Sequence, residues 1–178
     1  MTDIFGIQIP STDPVFLGIV GLHILFGLAS VATGLLAMLL RKGRGRHSQA
    51  GTVYFYCLVG LFLTLAALSI MRWQENRHLF VVGLLCFASA CLGRIAIHSR
   101  LRGRVRYHVI AMGASFVALL TGFYVDNGKN LPLWNMLPQI AFWLLPPAIG
   151  LPVILWTMSR HPLLRNRPPN KGPSGDAS

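Results

Sequence analysis

Long apolar runs alternate with short polar ones along this chain, and the apolar runs share one length. Five stretches, at about 15–40, 51–71, 79–97, 107–125 and 134–158, are almost free of charge. A helix needs about 20 mostly apolar residues to cross a hydrocarbon layer of about 30 Å. The pattern therefore predicts an all-α fold, an integral membrane bundle of five transmembrane helices. The polar segments between them, at 41–50, 72–78, 98–106 and 126–133, are short and read as loops joining antiparallel neighbours. Residues 1–160 make one membrane domain on this reading. The end of the chain, "RNRPPNKGPSGDAS", is rich in Pro, Gly and Ser, so 161–178 is expected to be a disordered cytosolic tail.

Composition agrees with a membrane protein. The 178 residues are 53% hydrophobic and 12% charged, about half the charge of an average soluble domain. The charge is one-sided, with 16 Lys and Arg against 5 Asp and Glu, for a net +11. In a soluble protein that excess would point to nucleic acid. In this chain the basic residues cluster between apolar runs, so they report topology, and no nucleic-acid partner is expected. Counted in order, the polar segments carry 0, 4, 2, 4, 1 and 4 Lys and Arg. The alternation follows the positive-inside rule. It puts the N-terminus outside and the C-terminus in the cytosol. The opening "MTDIFGIQIPSTDP" has no basic residue, so it lacks the n-region of a signal peptide and no cleavage is expected.

The polar segments also carry a weak internal echo. "RKGRGRHSQAG" joins the first two spans and "RLRGRVRYHVIAMG" the third and fourth. Each has a basic–Gly–basic element, then a histidine, then a glycine. Two such hairpins would be related by an axis along the membrane normal. The fifth span differs, with Pro138, Pro146, Pro147 and Pro152 in its run. It reads either as a kinked helix or as a broken one whose freed carbonyls line a cavity.

Few residues remain to carry chemistry. His47 and His108 each open an outward-running helix, at depths that match within a turn. His47, Gly51 and Tyr54 form one stripe and His108, Met112 and Ser115 another. Two imidazoles at one depth suit the axial positions of a b-type haem, and Arg44, Arg46, Arg104 and Arg106 suit its propionates. The alternative is a pair of interfacial histidines. His23 heads a small-residue stripe with Gly27, Ser30 and Gly34, about 25 Å from the cytosolic end of its helix. It reads as a cofactor contact or as a core histidine bonded across a helix interface, and it lies too far from His47 and His108 to share one iron with them. His78, at the outer start of the third span, is the only outer histidine available to pair with it. Arg94, near the inner end of the third span, reads as a snorkelling side chain or an anion clamp. Cys57, Cys86 and Cys91 lie within spans and read as apolar filler. The five acids, Asp3, Asp13, Glu75, Asp126 and Asp176, all lie at span ends or in polar segments. No carboxylate pair offers acid–base catalysis, and no GxSxG, HExxH or Walker pattern occurs.

The first two spans, "HILFGLASVATGLLAMLLRKGRGRHSQAGTVYFY", resemble an uncharacterised family of predicted bacterial membrane proteins. In that family a histidine and spaced glycines lead through a basic loop into His-x-x-x-Gly-x-x-Tyr. The matching positions are His23, Gly27, Gly34, His47, Gly51 and Tyr54. The resemblance implies a small polytopic inner-membrane protein of unestablished activity. The intramembrane histidines are also similar in pattern to those of cytochrome b561-type electron-transfer proteins. That likeness implies haem b serving a quinone or a membrane redox partner, with one haem rather than two because a clear outer histidine pair is missing. Two other classes fit the residues. One is a small permease or lipid-interacting carrier built on the proline-rich fifth span. The other is a non-enzymatic subunit of a larger complex, docking through faces such as Gly18 and Gly21.

Overall fold

The computed structural model describes residues 2–4, 7–9, 13–41, 45–132 and 134–160. Five helices dominate it: α1 (Pro14–Leu39), α2 (Arg46–Met71), α3 (Trp73–His98), α4 (Arg104–Asn127) and α5 (Gln139–Arg160). All five are long and apolar enough to cross a membrane. Ahead of them, β1 (Thr2–Ile4) and β2 (Ile7–Ile9) pair antiparallel, with Thr2 opposite Ile9. The apolar pattern gave no sign of this small hairpin, because strands of three residues carry too few positions to show a period.

Local chemistry sets the helix ends. The Asp13 carboxylate accepts from the Val15 N–H at 3.0 Å, and Pro14 opens α1 without an N–H to satisfy. Gly45 at φ +114° and Gly103 at φ +82° stand just before α2 and α4. A side chain is strained in that region, so each basic–Gly–basic element places its glycine where the chain turns into the next helix.

One expected loop is helix instead. Residues 73–78, "WQENRH", belong to α3, and Arg72 alone separates α2 from α3. The segment is polar, but Gln, Glu and Arg are good helix formers. Glu75 sits in the first turn and pairs with Arg72 at 2.8 Å, and the Asn76 amide donates to the Leu68 carbonyl, which also accepts from the Arg72 N–H at the end of α2. His78 consequently stands on a helix. The last span also begins later than its apolar run: Trp134–Met136 is a 3-10 turn, and α5 starts only after Pro138.

The first four helices close a ring. α1 packs on α2, α2 on α3, α3 on α4, and α4 more lightly on α1, while α5 packs on α4 from outside. The centre holds Tyr54 and Leu58 of α2, Cys86 and Ala90 of α3, and Phe116 and Leu119 of α4. Leucines such as Leu25, Leu28 and Leu92 point outward, as expected where the surrounding solvent is lipid. α5 runs as one helix through Pro146, Pro147 and Pro152. These prolines supply no N–H to the carbonyls four residues earlier, on Phe142, Trp143 and Ala148.

Candidate functional site

His47 and His108 are held alike. His47 Nδ1 lies 2.8 Å from the Ala37 carbonyl, and His108 Nδ1 lies 2.9 Å from the Gly93 carbonyl. In both hairpins the histidine opening the second helix reaches back to the backbone of the first. A carbonyl only accepts, so Nδ1 carries the proton and Nε2 of the neutral ring carries the lone pair. Both residues are half-buried.

The stripes named from the sequence continue this match inward. Tyr54 and Ser115 each lie seven residues after the histidine of their own hairpin, and their hydroxyls meet at 2.9 Å across the ring. Cys86 Sγ approaches the Ser115 carbonyl at 3.2 Å and the Ser115 hydroxyl at 3.6 Å. Gly34 of α1 faces the same layer; a Cβ there would come within 2.6 Å of the Phe116 ring and 3.1 Å of the Tyr54 ring. The bundle is closed at this level. Tyr54, a candidate contact for a cofactor, is only 2% exposed and spends its hydroxyl on Ser115. A group held by His47 and His108 must therefore sit on the basic side of this layer.

The arginines divide. Arg46 and Arg104 are the first residues of α2 and α4 and are exposed. Arg106, two residues beyond Arg104, lines a groove between α3, α4 and α5. The Arg94 guanidinium lies over the rings of Phe55 at 4.9 Å and Tyr56 at 5.9 Å, a cation–π contact from α3 to α2. Arg44 lies outside the described residues, as does His161. No cluster of three or more His, Cys, Asp or Glu among the described residues can hold a bare metal ion. A porphyrin iron asks less of the protein, because the macrocycle supplies its equatorial nitrogens.

A second group of residues meets at the opposite end of the bundle. His23 Nδ1 lies 3.0 Å from Thr64 Oγ1. The Thr64 hydroxyl donates to its own helix, at 3.0 Å to Gly60 O and 2.9 Å to Leu61 O, which leaves its oxygen to accept from the imidazole. Asp126 of α4 interacts electrostatically with both His23 and His78, and the His78 ring is 6.3 Å from Trp143 of α5. His98 is turned onto its own helix, 2.8 Å from the Arg94 carbonyl. Sequence reasoning named His78 as the outer histidine available to His23 but did not bring Asp126 to them. It also missed Thr64 and Trp143, which carry no spacing signal. The stripe positions of Tyr54 and Ser115 were the one clue to a cross-ring contact.

No protein-family model, characterised protein or solved structure matches this chain at a significant level.

Proposed function

We propose that the bundle binds one b-type haem between His47 and His108 and passes electrons between a quinone or membrane redox partner and that haem. The orientation that accompanies this reading puts the basic end at the cytosolic face of a bacterial inner membrane, with the N-terminus outside. The carrying observation is the matched pair of Nδ1–H to carbonyl bonds. Histidines that ligate a metal characteristically donate their other ring nitrogen to a carbonyl or carboxylate, which fixes the tautomer and aims the ring. That support exists at equivalent positions of both hairpins. When bound, haem supplies one-electron chemistry through its iron. The residues of this chain orient and shield it: the Tyr54–Ser115 layer closes the interior side, and Arg46 and Arg104 offer cations to propionates.

The experiment is an absorption spectrum of the full chain, expressed with adequate haem supply and purified in detergent. A Soret band that disappears in both His47→Ala and His108→Ala, while His98→Ala retains it, is the expected result. Absence of any band from a helical, monodisperse sample sinks the proposal. The two histidines would then be clasps that hold each hairpin's second helix to its first.

A further inference from the structure

α3 and α5 both pack beside α4 but separate from one another over much of its length, leaving a groove of about 620 Å³. Its floor is α4, with the small residues Ala114 and Ala118. Leu85 of α3 and Ile154 and Leu155 of α5 stand along its sides. At the end away from the basic loops the walls come together, where the Trp143 and His78 rings approach to 6.3 Å. At the basic end it reaches Arg106. From Arg106 to Thr121 the floor spans about 22 Å at 1.5 Å rise per residue. The groove is long, narrow and closed at one end.

Its chemistry is as uneven as its shape. Thr121 is the only hydroxyl among the described lining residues, and it donates to the Val117 carbonyl of its own helix at 2.8 Å. The rest of the described lining is apolar except for Arg106 and Trp143. The ion pair among the described residues is Arg72–Glu75, so no described carboxylate pairs with Arg106. Arg100, Arg102 and Arg104 add further cations in the same segment. A ligand for this groove therefore needs an apolar tail and an anionic head, in that order from the closed end. Its room, at about 30 Å³ per water-sized group, is about twenty such groups, the scale of one acyl chain.

We propose that this groove binds an anionic phospholipid, with one acyl chain laid along α4 and the phosphate held by Arg106. The proposal is independent of the haem reading, since neither His47 nor His108 is among the described residues that line the groove. Guanidinium and phosphate pair with two parallel hydrogen bonds, and residues at the basic end of a membrane bundle recur as sites for anionic headgroups. The uncharged lining selects nothing by itself. The head selects.

The test is native mass spectrometry of the full-length protein, stripped of lipid in detergent and titrated with phosphatidylglycerol or with phosphatidylcholine of the same chains. A one-to-one phosphatidylglycerol adduct should form at concentrations at least tenfold below those needed for phosphatidylcholine. Arg106→Gln, an exposed position whose change spares the core, should reduce that preference to less than threefold, while Arg102→Gln leaves it in place. Ala118→Phe, which fills the floor, should weaken both lipids together. Equal binding of the two lipids by the unaltered protein overturns the proposal, as does a preference that survives Arg106→Gln. Palmitate competing as well as phosphatidylglycerol would overturn it too, because the occupant would then be a free fatty acid.

Discussion

The hairpin of α1 and α2 and the hairpin of α3 and α4 repeat the same positions but are not equally supported. Each has a positive-φ glycine before its second helix, a histidine bonded back to the first, and a hydroxyl seven residues on that meets its counterpart. On the first helix the match continues: Ser30 and Gly34 stand before Ala37 as Cys86 and Ala90 stand before Gly93, and all four are buried. The surroundings then diverge. Cys86 finds the Ser115 carbonyl at 3.2 Å, whereas the Ser30 hydroxyl is fully buried with no hydrogen-bond partner. About 11% of the α1 span is buried against 28% of α3, since α3 has full neighbours on both sides and α1 touches α4 only lightly. Equal positions acquire unequal energies from what surrounds them, and α5, packed chiefly on α4, adds to the imbalance.

The largest expected effect comes from breaking the contact between the two hairpins. At Gly34 an added methyl meets the Phe116 ring at 2.6 Å and the Tyr54 ring at 3.1 Å, both rigid and both in the centre. At Gly93 it meets chiefly the tip of Met112, sulfur at 2.8 Å, with the Met112 backbone nitrogen at 3.2 Å. Overpacking typically costs about 1–3 kcal/mol, and methionine yields more easily than a ring. Gly34→Ala should fall near the top of that range and Gly93→Ala near the bottom, read as unfolding in detergent by denaturant. Equal costs would mean that the ring layer is softer than its distances imply.

A smaller effect separates the two hydroxyls. Ser115→Ala strands the Tyr54 hydroxyl in a position 2% exposed, and a buried unsatisfied donor costs about 1–3 kcal/mol. Tyr54→Phe leaves Ser115 with the Cys86 thiol at 3.6 Å, so it should cost nearer the average of about 0.6 kcal/mol measured for hydrogen bonds within membranes. The double variant should come out close to Tyr54→Phe alone. If the two single variants cost the same and their effects add, the cross-ring bond carries no coupling.

Much of this was legible from sequence because lipid imposes a simple rule. Each apolar run of membrane length is a helix, and no alternative backbone can satisfy its polar groups. The error at 72–78 arose where that rule stops: outside the hydrocarbon, polarity does not distinguish loop from helix, and propensity with the Arg72–Glu75 and Asn76 contacts decides. At the candidate site, periodicity put His47 with Tyr54 and His108 with Ser115 on common stripes, but it could not say which carbonyl each ring would meet. Thr64 beside His23, and Trp143 beside His78, depend on how whole helices lie against one another. The groove that reaches Arg106 depends on how α3 and α5 pack against α4, and no local pattern encodes that packing.

The smallest effect is the sharpest in sign. Ser30 and Cys86 occupy matching positions, so truncating each to alanine asks the same question of both hairpins. Ser30→Ala removes a hydroxyl that folding buries without a partner, and relief of that desolvation should leave stability unchanged or raise it by up to about 1 kcal/mol. Cys86→Ala removes a thiol in contact with the Ser115 backbone and opens a small void beside Tyr54, which should lower stability by about 1 kcal/mol. Thermal unfolding of the two variants side by side, in one detergent and at one protein concentration, reads the difference directly. Opposite signs would show that the second hairpin uses a polar contact that the first retains only in outline. A loss of stability at both positions would instead mean that Ser30 has a partner in the membrane, and that the two halves are more alike than their contacts suggest.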